Sequence, residues 1–233
     1  MSYTALAERL PAFLRRNIIH FESAIVDAVE RLALRVREGE WVLDAGAGEG
    51  RYARYFKHAR YCGIDLGIGD PQWNYRELDA IADLAHLPLR SESMSACLNI
   101  VTLEHVREPK LVIRELHRVL KPGGHLLLIV PHEWEVHQSP HDYFRYTRHG
   151  VQFLLEDAGF RDYTIEPVGG YFRLMSRRLM NGLRFFTGGV RWLLFVPALV
   201  LIAPAALLLP FLDPLDSERN FTLGYVCVAK RES

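Results

Sequence analysis

Short apolar runs bounded by turn residues recur along the first two thirds of the chain. Trp41–Leu43, Tyr61–Ile64, Ala96–Val101 and His125–Val130 each read as a strand, the first of them buried. Helical patterns lie between and before them. Residues 17–37 place Ile18, Phe21, Ile25, Val29 and Leu32 at helical spacing, and Leu111–Leu120 sets Glu115 and Arg118 on a polar side. Arg51–His58 also reads as a helix. Lys121-Pro122-Gly123-Gly124 predicts a stop, because proline cannot continue a helix and glycine takes the left-handed cap. Phe221–Lys230 reads as a last strand. Alternating strands and helices predict an α/β fold around a mainly parallel sheet.

The pattern breaks between Arg191 and Asp213. Trp192–Leu212 is a run of 21 uncharged residues, long enough to enter a membrane, with Pro197, Pro204 and Pro210 inside it. Arg173, Arg177, Arg184 and Arg191 precede it at steps that share one helical face, opposite Met175, Leu179, Leu183, Phe186 and Val190. Gly188-Gly189 breaks that helix. If the flanking strands join one sheet, a single crossing would leave the last strand across the bilayer. The segment is therefore expected to dip into one leaflet from the cytoplasmic side, where the arginines favour anionic lipid. A kinked helical pair against the protein or a dimer partner is the soluble alternative, and the oligomeric state stays open.

The candidate chemistry starts in Asp44-Ala45-Gly46-Ala47-Gly48-Glu49-Gly50, a glycine-rich turn after the first strand. Such a turn lets a ligand approach the backbone. Gly46 and Gly48 are expected where a side chain would strike that ligand. Asp65 ends the second strand about 20 residues on, where an acid can accept from both hydroxyls of a ribose. A dinucleotide fingerprint would place Gly or Ala at position 51, which holds Arg51, and no Lys-Ser or Lys-Thr completes a P-loop. Composition adds exclusions. Formal net charge is zero, so nucleic acid is not an expected partner. Cys62, Cys97 and Cys227 lie in apolar runs without CxxC spacing, as buried thiols in a reducing, cytoplasmic compartment do. The N-terminal stretch lacks the long apolar core of a secretory signal.

DAGAGEG, GID, DLAHLP, LEHV and RVLKPGG, in that order, resemble a class I S-adenosylmethionine-dependent methyltransferase of the small-molecule, type 11-like kind. The likeness covers roughly residues 38–165 plus Phe221–Lys230. It implies a Rossmann-like, doubly wound seven-stranded sheet ordered 3-2-1-4-5-7-6 with an antiparallel last strand, and an apolar helical insertion before that strand. It implies S-adenosyl-L-methionine as cofactor, held by Asp44, Gly46, Ala47, Gly48, Gly50, Asp65, Leu66, Asp83, Leu84 and Asn99. In this scheme Asp44 holds the turn, Asp65 binds ribose, Asp83 accepts from the adenine amino group, the Leu84 backbone addresses the ring and Asn99 lines the methionyl end. Met94-Ser95 stands where the family usually has Phe-Asp. The expected organisation is a helical cover over 1–37, a methyltransferase core over 38–168, a basic and apolar insertion over 169–220 and a final strand and tail over 221–233.

The expected acceptor pocket is His132–Arg148, at the carboxyl edge of the sheet. Methylation of oxygen or nitrogen needs a placed acceptor and an exit for its proton. His141, His137 and Tyr143 are the candidate catalytic residues, and Asp142 could orient a histidine. Tyr143, Phe144 and Tyr146 as core aromatics is the plainer alternative. His132, His137, His141 and Asp142 have metal-ligand side chains, but their spacing matches no compact zinc motif and none is expected to hold a metal. His105 falls beside the cofactor in the family. The expected activity is methyl transfer to an O or N atom of a small-molecule, lipid or glycan acceptor. A membrane-associated cofactor-binding module without catalysis, and a nicotinamide-dependent oxidoreductase, are the alternatives.

Overall fold

The computed structural model describes residues 19–70 and 72–232. The expectations for the N-terminal stretch, Ile18 included, fall outside the described residues. The chain divides into two compact units. One comprises Ile25–Glu166 and the chain from Gly224 on; the other comprises Pro167–Leu223 with the described residues up to Ala24.

Helix α1 spans His20–Ala33 and buries Phe21, Ile25, Val29 and Leu32 along one side. The strands are β1 Trp41–Ala45, β2 Arg60–Asp65, β3 Ala80–Ile81, β4 Met94–Ile100, β5 Leu120–Pro131, β6 Asp162–Pro167 and β7 Gly224–Lys230. They form one seven-stranded sheet in the order β3-β2-β1-β4-β5-β7-β6, as the family resemblance implies. β1 pairs parallel with β2 and β4, β4 pairs parallel with β5, and β7 runs antiparallel to β5. Leu43, Cys97, Leu98, Leu126, Leu127, Leu128 and Cys227 are fully buried, so the central strands are sealed on both faces. Helices α2 (Pro109–Val119) and α3 (Arg148–Asp157) add Val112, Ile113, Leu116, Val151 and Leu155 to the same core. The three cysteines are free and buried.

Two local expectations fail. Arg51–His58 is not an α-helix but turns around a short 3-10 segment, Ala53–Tyr55. Residues 51–59 must reach the start of β2 within a few turns, and Tyr52 and Phe56 are drawn into the core, so the tighter coil wins. α2 also does not end on a left-handed glycine. Its C-cap is Leu120, extended at φ −66° and ψ 139°, and Lys121–Gly124 is absorbed into the start of β5, where pairing with β4 shifts register. Gly123, at φ +78°, serves that irregularity rather than the helix end.

The other unit holds α4 (Tyr171–Gly182) and α5 (Phe195–Leu208), joined and followed by 3-10 segments. From Gly189 to Leu215 the chain is helical, long and apolar enough to cross a membrane by length and composition. Its apolar side chains face outward: Leu193, Val200 and Leu201 are 77%, 68% and 79% exposed. The unit closes on itself. Leu223 N–H and the Thr222 hydroxyl both donate to the Val168 carbonyl, so the chain leaves where it entered. Asp213 is buried and accepts from Gly170 N–H and Arg173 N–H at the start of α4. Arg173, expected to face lipid, instead pairs with Asp213, Nε to Oδ2 at 3.1 Å.

Gly46 carries a fold-level constraint. It sits at φ +90°, and a Cβ there would lie 2.2 Å from Cγ2 of Thr102. Its small size is needed for packing of the turn after β1 on the turn after β4, a demand the sequence reading did not include. Gly46→Ala should cost about 2–4 kcal/mol in urea denaturation, through positive φ and overpacking. Thr102→Gly in the same chain should recover part of that. A single-variant loss below about 0.5 kcal/mol would show that Thr102 moves aside freely.

Candidate active site

Strands β1, β2 and β4 lie side by side, and each carries a polar residue at or next to its carboxyl end: Asp44, Asp65 and Asn99. Asp44 is 1% exposed and accepts from the Tyr61 hydroxyl through Oδ2, while its Oδ1 finds no hydrogen-bond partner among the described residues. Asn99 is fully buried. Its amide donates to the Ala45 carbonyl at 2.8 Å, and its Oδ1 is likewise unpartnered among the described residues. Asp65 closes the glycine loop: Oδ2 accepts from Gly48 N–H at 2.9 Å and Oδ1 from Gly67 N–H at 2.8 Å. Each oxygen keeps lone-pair capacity for a further donor. Gly48 and Gly50 sit at φ +54° and +69°. Ala47 is buried below them, and Ala47 N–H bonds the Ile64 carbonyl.

The next positions line the same edge. Asp65 pairs across to Ile81 of β3, and its carbonyl accepts from Ala82 N–H. Asp83 follows at the N-cap of a 3-10 turn, Leu84–His86, accepting from Ala85 N–H. Leu84 is buried and Leu66 is 44% exposed. Trp73 was not anticipated: its ring lies 3.2 Å from where a Gly48 Cβ would be, and 3.0 Å from a Gly69 Cβ. The indole thus lies against the glycine loop.

A second cluster forms past β4 and β5. Val101, at φ 51°, turns the chain sharply after β4 into the 3-10 segment Leu103–His105. A β-branched residue in that region is strained. The segment after β5 is tied to this turn. Tyr143 N–H and Phe144 N–H donate to the Glu104 carbonyl, and the Tyr146 hydroxyl donates to the Leu103 carbonyl. Tyr146 is therefore a core aromatic. Asp142 is clamped by Arg145, at 2.6 and 2.8 Å, and by His137 N–H at 2.8 Å. The Arg145 guanidinium holds the Asp142 carboxyl down at about 2.

These ties bring His137 against Glu104 and His105. His105 Nε2 and His137 Nε2 each lie 3.6 Å from Glu104 Oε1, and Glu104 is fully buried. The Glu104 carboxylate raises the His137 pKa above its ordinary value. His141 stands apart from this cluster with Nδ1 3.1 Å from the Tyr143 hydroxyl, which also accepts from Arg107. His132 is elsewhere, its ring 5.8 Å from that of Tyr225. Glu104 is the residue the sequence reading passed over. The signal was present: an acid inside an apolar stretch, Leu103–Val106, at a strand end.

The donor set tests the implied cofactor. S-adenosylmethionine carries an ammonium, a sulfonium, two ribose hydroxyls and an adenine amino group against a single carboxylate, so it is rich in donors and net positive. The edge offers the complement: buried, unsatisfied acceptors on Asp44 and Asn99, a carboxylate at Asp65 and a glycine loop whose own residues bring no bulky side chain at positions 46, 48 and 50. The residues present fit the group.

Comparison with known proteins agrees. Residues 43–128 match the methyltransferase-domain family. An uncharacterized methyltransferase of Mycobacteroides abscessus is 32% identical over 52% of this chain and 50% of its own length. A ubiquinone biosynthesis O-methyltransferase of Pseudomonas putida is 31% identical over 63% of this chain and 76% of its own. Against the first of these relatives the chain spans about half their length. The crystal structure of Burkholderia thailandensis 1,6-didemethyltoxoflavin-N1-methyltransferase, with S-adenosylhomocysteine bound, shares the fold at TM-score 0.53 and 16% identity, covering 99% of this chain and 89% of that one. The chain belongs to the class I S-adenosylmethionine-dependent methyltransferases, and S-adenosylmethionine is its cofactor.

Burial pushes the Asp44 carboxyl up to about 7, against the pull of the Tyr61 hydroxyl. The unfolded carboxyl titrates near 3.9. Between about pH 4 and 7 the folded chain keeps a proton that the unfolded chain loses, so this group's contribution falls as pH rises through that window. Asp44→Asn keeps an acceptor for Tyr61 and removes the charge. Its stability at pH 8 without cofactor should exceed wild type, by at most about 4 kcal/mol, and its profile from pH 5 to 8 should be flatter. An unchanged slope in urea denaturation would contradict the buried-carboxyl reading.

Proposed function

We propose that this chain methylates an oxygen or nitrogen of a small-molecule or lipid-type acceptor at the cytoplasmic face of a membrane. The supporting observation is the acceptor-lined strand edge, with unsatisfied Asp44 and Asn99 beside the Asp65-closed glycine loop. Bound S-adenosylmethionine supplies an electrophilic methyl group. Asp65 binds the ribose hydroxyls. Gly46, Ala47, Gly48 and Gly50 form the loop floor, and Asp44 and Asn99 receive the methionyl end. Asp83, Leu66 and Leu84 flank the adenine, and Trp73 shields the loop from water. The acceptor enters beside the segment after β5. His141, with Tyr143 hydrogen-bonded to its Nδ1, takes the acceptor proton.

Asp65→Ala loses charge-assisted hydrogen bonds, so titration calorimetry should show S-adenosylmethionine binding weakened by at least about tenfold in folded protein. His141→Ala should keep that affinity and lower turnover by about 10²–10⁴. Unchanged affinity in the first variant would remove Asp65 from the cofactor site, and unchanged turnover in the second would move the base elsewhere.

Membrane contact is supported by Gly189–Leu215, whose apolar residues face outward, and by the closed exit at Val168, which suits a segment that dips and returns. Arg173 is committed to Asp213, so Arg184 and Arg191, both exposed, are the basic residues we assign to anionic headgroups. Each is worth about 1 kcal/mol, and changing both to Gln should lower partitioning onto anionic vesicles by about tenfold or more in flotation. A wild-type chain that ignores such vesicles and remains soluble without detergent would contradict lipid contact, and a dimer would assign the apolar surface to a subunit interface.

A further inference from the structure

We propose that Glu104, His105 and His137 form a binding site for a divalent transition cation of the zinc class. Each residue offers one ligand atom, and the three atoms lie within 4.8 Å of one another. Both oxygens of Glu104 and the Nε2 atoms of both histidines are buried, with no hydrogen-bond partner among the described residues. Glu104 itself is fully buried, with its Oε1 toward the two histidines.

The tautomers follow from the outer contacts. His105 Nδ1 lies at hydrogen-bond distance from the His141 carbonyl, and His137 Nδ1 is 3.1 Å from the Glu135 carbonyl. A carbonyl only accepts, so both Nδ1 atoms carry the hydrogen. In the neutral rings the Nε2 lone pairs then face the Glu104 carboxylate. With the rings neutral, three lone-pair donors converge on one small volume. The separations are also wrong for direct hydrogen bonds: 3.6 Å from each Nε2 to Glu104 Oε1, against about 2.7–3.2 Å. They are close to the edge of a tetrahedron built on zinc bonds of about 2.0–2.1 Å, which is roughly 3.4 Å. The two rings meet edge-on, 81° apart with centroids at 4.7 Å.

Two imidazoles and one carboxylate, each imidazole fixed by a backbone carbonyl on its far side, is a donor set that suits zinc or ferrous iron and leaves coordination positions open. His137 is the most exposed of the three, at 24% of its side chain, so an outside ligand reaches the cation from its side. The site stands apart from the methyl-transfer reading, since binding is read with neither S-adenosylmethionine nor acceptor present.

The test uses the full chain, free of any histidine tag and stripped with EDTA. Calorimetric titration with zinc chloride should show one saturable site, and the melting temperature should rise with zinc but not with equal magnesium. Glu104→Gln and the double variant His105→Ala/His137→Ala should each weaken zinc binding by at least about 100-fold. His86→Ala, an exposed histidine outside the cluster, should leave it unchanged. Glu104→Gln is close to isosteric, so the metal-free variant should stay folded with a melting temperature near that of metal-free wild type, which separates ligand loss from unfolding. The proposal is overturned by the lack of a saturable zinc site, by zinc binding that survives both variants, or by tighter binding of magnesium than of zinc.

Discussion

Buried acceptors without donors set the terms for this molecule. Along the carboxyl edge of the sheet, Asp44 Oδ1, Asn99 Oδ1 and both Glu104 oxygens are sealed from solvent with no hydrogen-bond partner among the described residues. A folded chain tolerates such groups at a cost of about 1–3 kcal/mol each, more where charged. For Asp44, Asn99 and Glu104 that cost sits at or just past the carboxyl ends of β1 and β4. It makes the edge selective: a ligand that brings hydrogen-bond donors and positive charge relieves it, and a ligand rich in phosphate does not. The raised Asp44 carboxyl is the same constraint expressed as proton affinity.

The rest of the architecture places that edge. Central strands buried on both faces fix where β1, β2 and β4 end. The β5–β7 pairing anchors the start of the segment that holds His137 and His141. That segment is then fastened back by backbone donors from Tyr143 and Phe144 to the Glu104 carbonyl. Positive φ at Val101 and Gln138, one before Glu104 and one after His137, shows both chain segments bent sharply where they meet.

Much of this was legible in the chain. Apolar runs of strand length located β1, β2, β4 and β5 within a few residues, and the family resemblance carried β6 and the sheet order. Local expectations failed where tertiary demands overrode propensity. Arg51–His58 had helical composition, yet burial of Tyr52 and Phe56 in a short connection favoured a 3-10 turn. Gly46 was legible as a turn glycine, but its packing against Thr102, distant in sequence, was not. Arg173 fell on a basic helical face until Asp213 claimed it. Nor could the meeting of Glu104 with His137 be read from spacing, because it depends on two loops brought together by the β4–β5 register. The Trp192–Leu212 run was evident from composition, whereas the closure of its unit at Val168 was not.

A fold of this kind serves many reactions, so the edge chemistry must carry the functional argument. Glycine loops and a ribose-binding acid are common to methyltransferases and nicotinamide enzymes. The two differ in what the ligand brings: a dinucleotide carries an anionic pyrophosphate, whereas S-adenosylmethionine carries an ammonium and a sulfonium. Parallel calorimetric titrations of the intact chain with S-adenosylmethionine and with NAD at neutral pH separate them directly. Saturable one-to-one binding of S-adenosylmethionine and no heat of binding from NAD is the predicted result. NAD binding without S-adenosylmethionine binding would contradict the account at its centre.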